Sequence, residues 1–256
     1  MLIDTHSHIY SEEFDDDRNE VIAHAEEVGV KLILLPAIDN ESYDRQEQLA
    51  ASRPDLFRQM MGLHPTSVDN NYKSNLELVH EKLFSQPHKY VGVGEIGLDL
   101  YWDTTFKEQQ CKVLEQQILW AESLDKPIVL HVRNAYQEVF ELLRRHGSIH
   151  YRGIMHCFSG TPDDAQTAIE MGFLLGIGGV VTYKKSILPE IVRTVGLKHI
   201  VLETDSPYLA PMPYRGHRNE SSYVTIVAQK IAEILNISPQ EVAELTTANT
   251  KQLFGI

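Results

Sequence analysis

The sequence predicts a (β/α)8 TIM-type barrel, class α/β, in a single domain over residues 1–256. Three observations lead there. Short apolar runs alternate with longer stretches of helical spacing, and there are eight such runs. The runs are continuous rather than alternating, as strands buried on both faces require. A doubly wound open sheet is the second architecture this rhythm admits. A chain of 256 residues suits one barrel with one core. No Gly/Ser-rich linker, low-complexity run or repeat beyond the βα rhythm divides it.

In chain order the expected strands are Leu2–His6, Lys31–Ala37, Arg58–His64, Tyr90–Ile96, Pro127–Val132, Gly153–Phe158, Phe173–Ile177 and His199–Asp205. After the fourth, Cys111, Leu114, Ile118 and Ala121 mark one apolar face of a helix over Phe106–Leu124. After the fifth, Val139, Leu142 and Leu143 do so over Tyr136–Arg145. Thr161-Pro-Asp-Asp164 and Ser238-Pro-Gln-Glu241 are helix-start signals, with a hydroxyl at the cap and an acid three residues on. Helices over Ser222–Leu235 and Pro239–Leu253 close the barrel from outside.

Composition narrows the function. With 43% hydrophobic residues and no apolar tract long enough to span a bilayer, the chain reads as soluble and globular. The first residues carry no signal-peptide pattern, and Cys111 and Cys157 are the only cysteines, so a cytoplasmic location without disulfides is expected. The net charge of −13 argues against a broad basic surface for duplex DNA. It leaves room for local, metal-assisted contact, because carboxylates that hold cations count as negative in a tally.

In barrels of this kind chemistry gathers at the C-terminal ends of the strands. Those ends carry His6 and His8, His64, Glu95, His131, His156 and Asp205. His6 and His8 alternate along one strand, so they project from one face about 7 Å apart. Any one of these is more often a solvated residue than a ligand; their gathering at one barrel end is what points to a metal site. Histidines with carboxylates and no obligatory cysteine suit Zn, Mn, Co or Mg, and six donors suit two divalent ions per chain, roughly 3.5–4 Å apart with a bridging carboxylate. His24, His80, His88, His146, His150 and His199 lie on helices or at the opposite strand ends and receive no role.

Seven stretches together resemble the successive motifs of the TatD-like metal-dependent deoxyribonucleases of the amidohydrolase superfamily. They are Asp4-Thr-His-Ser-His8, Gly62-Leu-His-Pro65, Gly92-Val-Gly-Glu-Ile-Gly-Leu-Asp99, His131-Val-Arg133, His156-Cys-Phe-Ser-Gly160, Glu203-Thr-Asp-Ser-Pro207 and Arg218-Asn-Glu220. Ala248-Asn249 through Phe254-Gly255 resembles the family's C-terminal signature. The resemblance implies that His6, His8 and Asp205 hold one metal, that Glu95 bridges, and that His131 and His156 hold the second. It places His64 near the scissile phosphate rather than on a metal; a simple cap on the turn before Pro65 is the alternative. The family often has Pro after Arg-Asn-Glu, where this chain has Ser221.

The expected activity is metal-dependent, exonuclease-like hydrolysis of phosphodiester bonds in single-stranded or frayed DNA ends by a metal-bound hydroxide. Asp205 is the proton acceptor, with Glu95 and His64 as further catalytic groups. Arg133, two residues beyond His131, is expected at a phosphate oxygen, because a guanidinium is a permanently charged forked donor. The loop Pro211–Arg218 offers Arg218 as a phosphate clamp and an aromatic for base stacking, or it is a plain connection. A monomer with a nucleic-acid substrate and no membrane partner is expected. The alternatives are a C–N or carboxylic-ester hydrolase, including an aminoacyl-tRNA deacylase, and a non-catalytic metal-binding barrel. Carbonyl hydrolases of the superfamily often carry lysine at the end of strand four, where this chain has Glu95.

Overall fold

The computed structural model describes residues 1–256. Eight parallel strands run in sequence order: β1 (Leu2–Asp4), β2 (Val30–Leu35), β3 (Phe57–Met61), β4 (Tyr90–Asp99), β5 (Ile128–Arg133), β6 (Gly153–Met155), β7 (Phe173–Ile177) and β8 (Ile200–Leu202). The ring closes between β8 and β1. Thr5 N–H donates to Leu202 O at 3.0 Å, Asp205 N–H donates to His6 O at 2.9 Å, and Ser7 bridges Ser206 in parallel register. The fold is the expected (β/α)8 barrel rather than an open sheet.

Helices α1 (Arg18–Glu27), α2 (Tyr43–Ser52), α3 (Tyr72–Ser85), α4 (Lys107–Ser123), α5 (Tyr136–Arg145), α6 (Pro162–Glu170) and α7 (Leu188–Val195) follow successive strands. Two more, α8 (Val224–Leu235) and α9 (Pro239–Phe254), come after β8. Both anticipated helix starts are reciprocal capping boxes. Thr161 Oγ1 accepts from Asp164 N–H while Asp164 Oδ2 accepts from Thr161 N–H, and Ser238 and Glu241 do the same for α9. Each box satisfies two backbone donors that a helix start otherwise leaves unpaired.

Two apolar layers hold the barrel. The outer one lies between strands and helices and includes Leu114, Ile118 and Ala121 of α4 and Val139, Phe140, Leu142 and Leu143 of α5. The inner one is small: Leu34, Met60, Val129, Ile154 and Val201 point into the barrel, and Phe254 at the end of α9 plugs it from below. With the lower barrel filled by hydrocarbon, polar side chains are confined to the upper mouth.

The mouth differs from the sequence reading in strand length. β1, β3, β6 and β8 end one to three residues before His6, His64, His156 and Asp205, so these side chains ride on the segments just past the hydrogen-bonded strands. Conversely, β4 passes the expected end at Ile96 and continues to Asp99, pairing Gly97 with His131 and Asp99 with Arg133. Gly97 is what lets the strand continue. Its φ of +152° and the carbonyl of His131, which a Cβ would meet at 1.8 Å, admit only glycine.

The inner plug yields a stability prediction. Phe254→Ala leaves the bottom of the barrel unfilled, and the urea unfolding midpoint should fall by an amount equivalent to about 3 kcal/mol. A midpoint unchanged from wild type would show that the plug contributes nothing.

Candidate metal centre

The segments at and just past the ends of β1, β3, β5, β6 and β8 converge on the Glu95 carboxylate of β4, which is 2% exposed. Its Oε2 lies 3.1 Å from His6 Nε2 and 3.7 Å from His8 Nε2. Its Oε1 lies 2.9 Å from His131 Nδ1, 3.4 Å from His64 Nε2 and 3.5 Å from His156 Nε2. Asp205 faces the same space, its Oδ1 3.6 Å from His8 Nε2, 3.7 Å from His156 Nε2 and 3.9 Å from His6 Nε2. Asp205 enters the mouth in the left-handed backbone region at φ 58°, which aspartate tolerates better than most residues. The two oxygens of Glu95 thus address two different sets of imidazoles.

The sets overlap. His6, His8 and Asp205 bring donor atoms within 4.8 Å of one another, and so do His64, Glu95 and His131. His156 groups with His6 and Glu203, and separately with Cys157 and Asp205, rather than in one tight trio with His131.

The outward ring nitrogens show that this cluster suits a metal. Tyr10 Oη donates to Pro36 O at 2.6 Å, so it accepts from His8 Nδ1 at 2.9 Å, leaving His8 Nε2 with a lone pair toward the centre. Asp99 Oδ2, 3.0 Å from His131 Nε2, fixes that ring so that Nδ1 faces Glu95. Glu203 Oε1 lies 3.2 Å from His156 Nδ1, leaving His156 Nε2 inward. An oxygen behind the ring and a free nitrogen in front is the pattern of metal-ligating histidine. His6 Nε2 and His8 Nε2 stand only 3.2 Å apart, a crowding of nitrogens that a shared cation resolves. The donor set therefore fits divalent ions of the zinc, manganese, cobalt or magnesium type.

His64 differs from the other four. Thr66 N–H donates to its Nδ1 at 3.1 Å, which places the ring proton on Nε2, toward Glu95. It caps the turn that begins at Pro65 and faces the cluster at once, as a donor rather than a lone-pair ligand. Arg133 lies at the end of β5 with its guanidinium on the rings of Tyr101, 4.0 Å from the centroid, and Trp102, 5.1 Å. Arg218 is engaged elsewhere. It pairs with Asp17, donates to Glu13 O and packs on Phe14, and it takes no part in the ion pairs of the cluster. Ser221 is buried and its hydroxyl joins those of Ser7 and Ser206, tying the last loop to the β1–β8 seam.

The cluster shifts its own protonation. Burial works against the Glu95 anion, but His6, His64 and His156 hold its carboxyl well below the usual range. Burial also works against a charged His156, yet Glu203, Glu95 and Asp205 outweigh it and hold the ring up at about 10. His6, buried and beside His156, is pushed down to about 4. Burial raises Asp205 too, but His156, His8 and His6 keep it an anion.

Several supporting residues were not singled out by the sequence reading. Glu203, fully buried, accepts from Cys157 N–H at 2.6 Å and leaves Oε2 without a partner. It sits where a Cβ on Gly176 would come within 2.2 Å of that oxygen, so glycine there makes its room. Gln110 and Gln117, one face of α4, clamp the site from behind. Gln117 accepts from Leu63 N–H and donates to Leu63 O, and Gln110 does the same for Asp99. Asp4 accepts from Thr204 N–H and Oγ1 across the seam, and burial raises its carboxyl to about 7. A signal existed for Glu203, two residues before Asp205 on one strand face. None existed for the glutamines, which occupy positions an amphipathic helix usually fills with hydrocarbon.

Comparison with known proteins settles the family. The TatD related DNase family matches residues 3–255. The chain belongs to this family. The metal-dependent hydrolase YabD of Bacillus subtilis (strain 168) is 37% identical over the full length of both chains. The metal-dependent hydrolase TatD of Mycobacterium tuberculosis is 31% identical over 100% of this chain and 98% of that one. The crystal structure of YjjV, a TatD homolog from Escherichia coli K12, superposes with a TM-score of 0.93 at 30% identity, covering 100% and 98% of the two chains. The TatD-family chain described here is thus a metal-dependent hydrolase with a (β/α)8 barrel. No helix in it is long and apolar enough to cross a membrane.

Two outcomes follow from the centre. Because the metal-free His156 ring is held protonated at neutral pH, cation binding there must release a proton, and affinity should rise about tenfold per pH unit below that ring's raised pKa. Calorimetry with Mn²⁺ in buffers of different ionisation enthalpy measures that proton, and a pH-independent affinity would show that no charged imidazole gives up a proton to the ion. Glu203→Ala and Gly176→Ala, which remove or displace the oxygen behind His156, should each weaken metal binding about 10- to 100-fold in chelator competition.

Proposed function

We propose that this TatD-family hydrolase is an exonuclease-like deoxyribonuclease that cleaves phosphodiester bonds in single-stranded or frayed DNA ends, using two divalent ions per chain. His6, His8 and Asp205 would hold one ion, His131 and His156 the other, with Glu95 between them. The observation that carries the phosphodiester reading is Arg133, a permanent cation on the strand of ligand candidate His131, bordering a centre that has Glu95 where carbonyl hydrolases often carry lysine. The family's description as DNase-related supports the same reading.

Bound divalent cations supply Lewis acidity to the attacking water and to the phosphoryl oxygen. The chain's own groups do the rest. Asp205, kept anionic by three imidazoles, accepts the proton of that water. His64 presents its Nε2 proton to a phosphoryl oxygen, and Arg133 spreads its charge over the five-coordinate phosphorus. Glu95 holds the surrounding rings in place. The net charge of −13 disfavours a long duplex interface, so a strand end entering the mouth is the substrate that matches the surface.

Metal-stripped protein given end-labelled single-stranded oligodeoxynucleotide should produce a ladder only when Mg²⁺, Mn²⁺ or Zn²⁺ is restored. Glu95→Ala should lower the rate by orders of magnitude while remaining folded. Wild-type turnover by that variant without metal would end the binuclear reading. Turnover of amides or carboxylic esters with no ladder would move the substrate to carbonyl compounds.

A further inference from the structure

We infer that Tyr101 and Trp102, on the loop after β4, form a base-stacking subsite that takes an unpaired nucleobase next to the scissile phosphate. The inference rests on the nuclease reading above and adds the side chains that read the substrate as single-stranded. Scattered exposed aromatics are ordinary, but these are not scattered. Of the five exposed aromatic residues, Phe84 alone is remote on α3; Tyr101, Trp102, Tyr208 and Tyr214 all lie on the loops after β4 and β8. Those strands stand opposite one another in an eight-strand ring, so the aromatics flank the metal centre. Tyr208 confirms the placement on its side, with its ring 6.2 Å from that of His8.

The Tyr101–Trp102 pair is also fixed in place. Asp99 Oδ1 accepts from Tyr101 N–H at 3.0 Å and Trp102 N–H at 3.4 Å, while its Oδ2 holds His131. One carboxylate therefore sets both the aromatic loop and a candidate metal ligand, and the distance between them is built in. The two rings meet edge to face at 4.9 Å, and Arg133 lies on both. Trp102 nevertheless remains 69% exposed, so a large, rigid π-face is left for a planar ligand. A phosphodiester at the centre carries its own planar groups one sugar away on either side. Stacking on an aromatic face tolerates any base, because each has a π-face, and requires that the base be unpaired. Arg133 then contacts the phosphate with its edge while its face rests on the aromatics.

Trp102 and Trp120 are the two tryptophans, so Trp120→Phe isolates the fluorescence of Trp102. In that background, with Mg²⁺ present, phosphorothioate oligothymidylate should quench the emission and an abasic oligomer of the same backbone and length should not. In kinetics, Trp102→Ala should lower kcat/KM on a thymidine oligonucleotide about 5- to 150-fold, the equivalent of one stack of about 1–3 kcal/mol. Trp102→Phe should restore most of that loss. On a strand abasic beside the cleavage site, wild type should fall to the level of Trp102→Ala and the variant should lose nothing further. Equal quenching by both oligomers, or the same loss on both strands, would overturn the subsite. Absence of cleavage of any strand by wild type would instead refute the nuclease reading, and quenching by thymidylate would still decide whether bases stack here.

Discussion

The structure depends on one buried carboxylate. Glu95 is almost inaccessible to water, and an ion in that position is tolerable only where opposite charge or donors surround it. Five imidazoles from three other strands and from the β1 segment surround it within 3.7 Å: His64 presents a ring proton, and inward lone pairs such as that of His8 suit a cation that would complete the charge balance. Only a closed ring of parallel strands brings that many chain segments to one point while each remains hydrogen-bonded to its neighbours. The barrel's hydrocarbon floor, completed by Phe254, keeps this polar assembly at the upper end.

Around four of the five imidazoles stand polar groups that decide which ring nitrogen faces inward. Tyr10 sets His8, Asp99 sets His131, Glu203 sets His156, and the Thr66 amide sets His64 the other way. The same ring type thus serves two purposes: a lone pair for a cation in one case and a proton for an oxyanion in the other. Behind these, Gln110 and Gln117 pin the backbone just past β3 and at the end of β4 to helix α4, so the supports of His64 and His131 are tied to the scaffold. Preorganisation of this kind keeps donors where charge develops without reorganisation during reaction.

The sequence carried the fold because parallel strands buried on both faces are continuous apolar runs, and all eight were visible. It carried the six metal-centre candidates and His64 because their residue types are rare at strand ends. What escaped it was local. β4 extends to Asp99 because Gly97 yields to the carbonyl of His131, a contact with no trace in one-dimensional pattern. Arg218 and Arg133 look alike in the sequence, yet one is engaged by Asp17 and Phe14 and the other borders the centre on an aromatic pair.

The sequence by itself therefore determined the barrel, its closure helices and the chemistry available at its mouth, since periodicity and residue type are local properties. Tertiary structure alone decided which ring nitrogen faces inward, that Glu203 and Asp99 stand behind their histidines, and that Tyr101 and Trp102 gather beside Arg133. Each of these depends on atoms distant in the chain meeting within hydrogen-bonding or stacking distance, and that is fixed only when the ring closes.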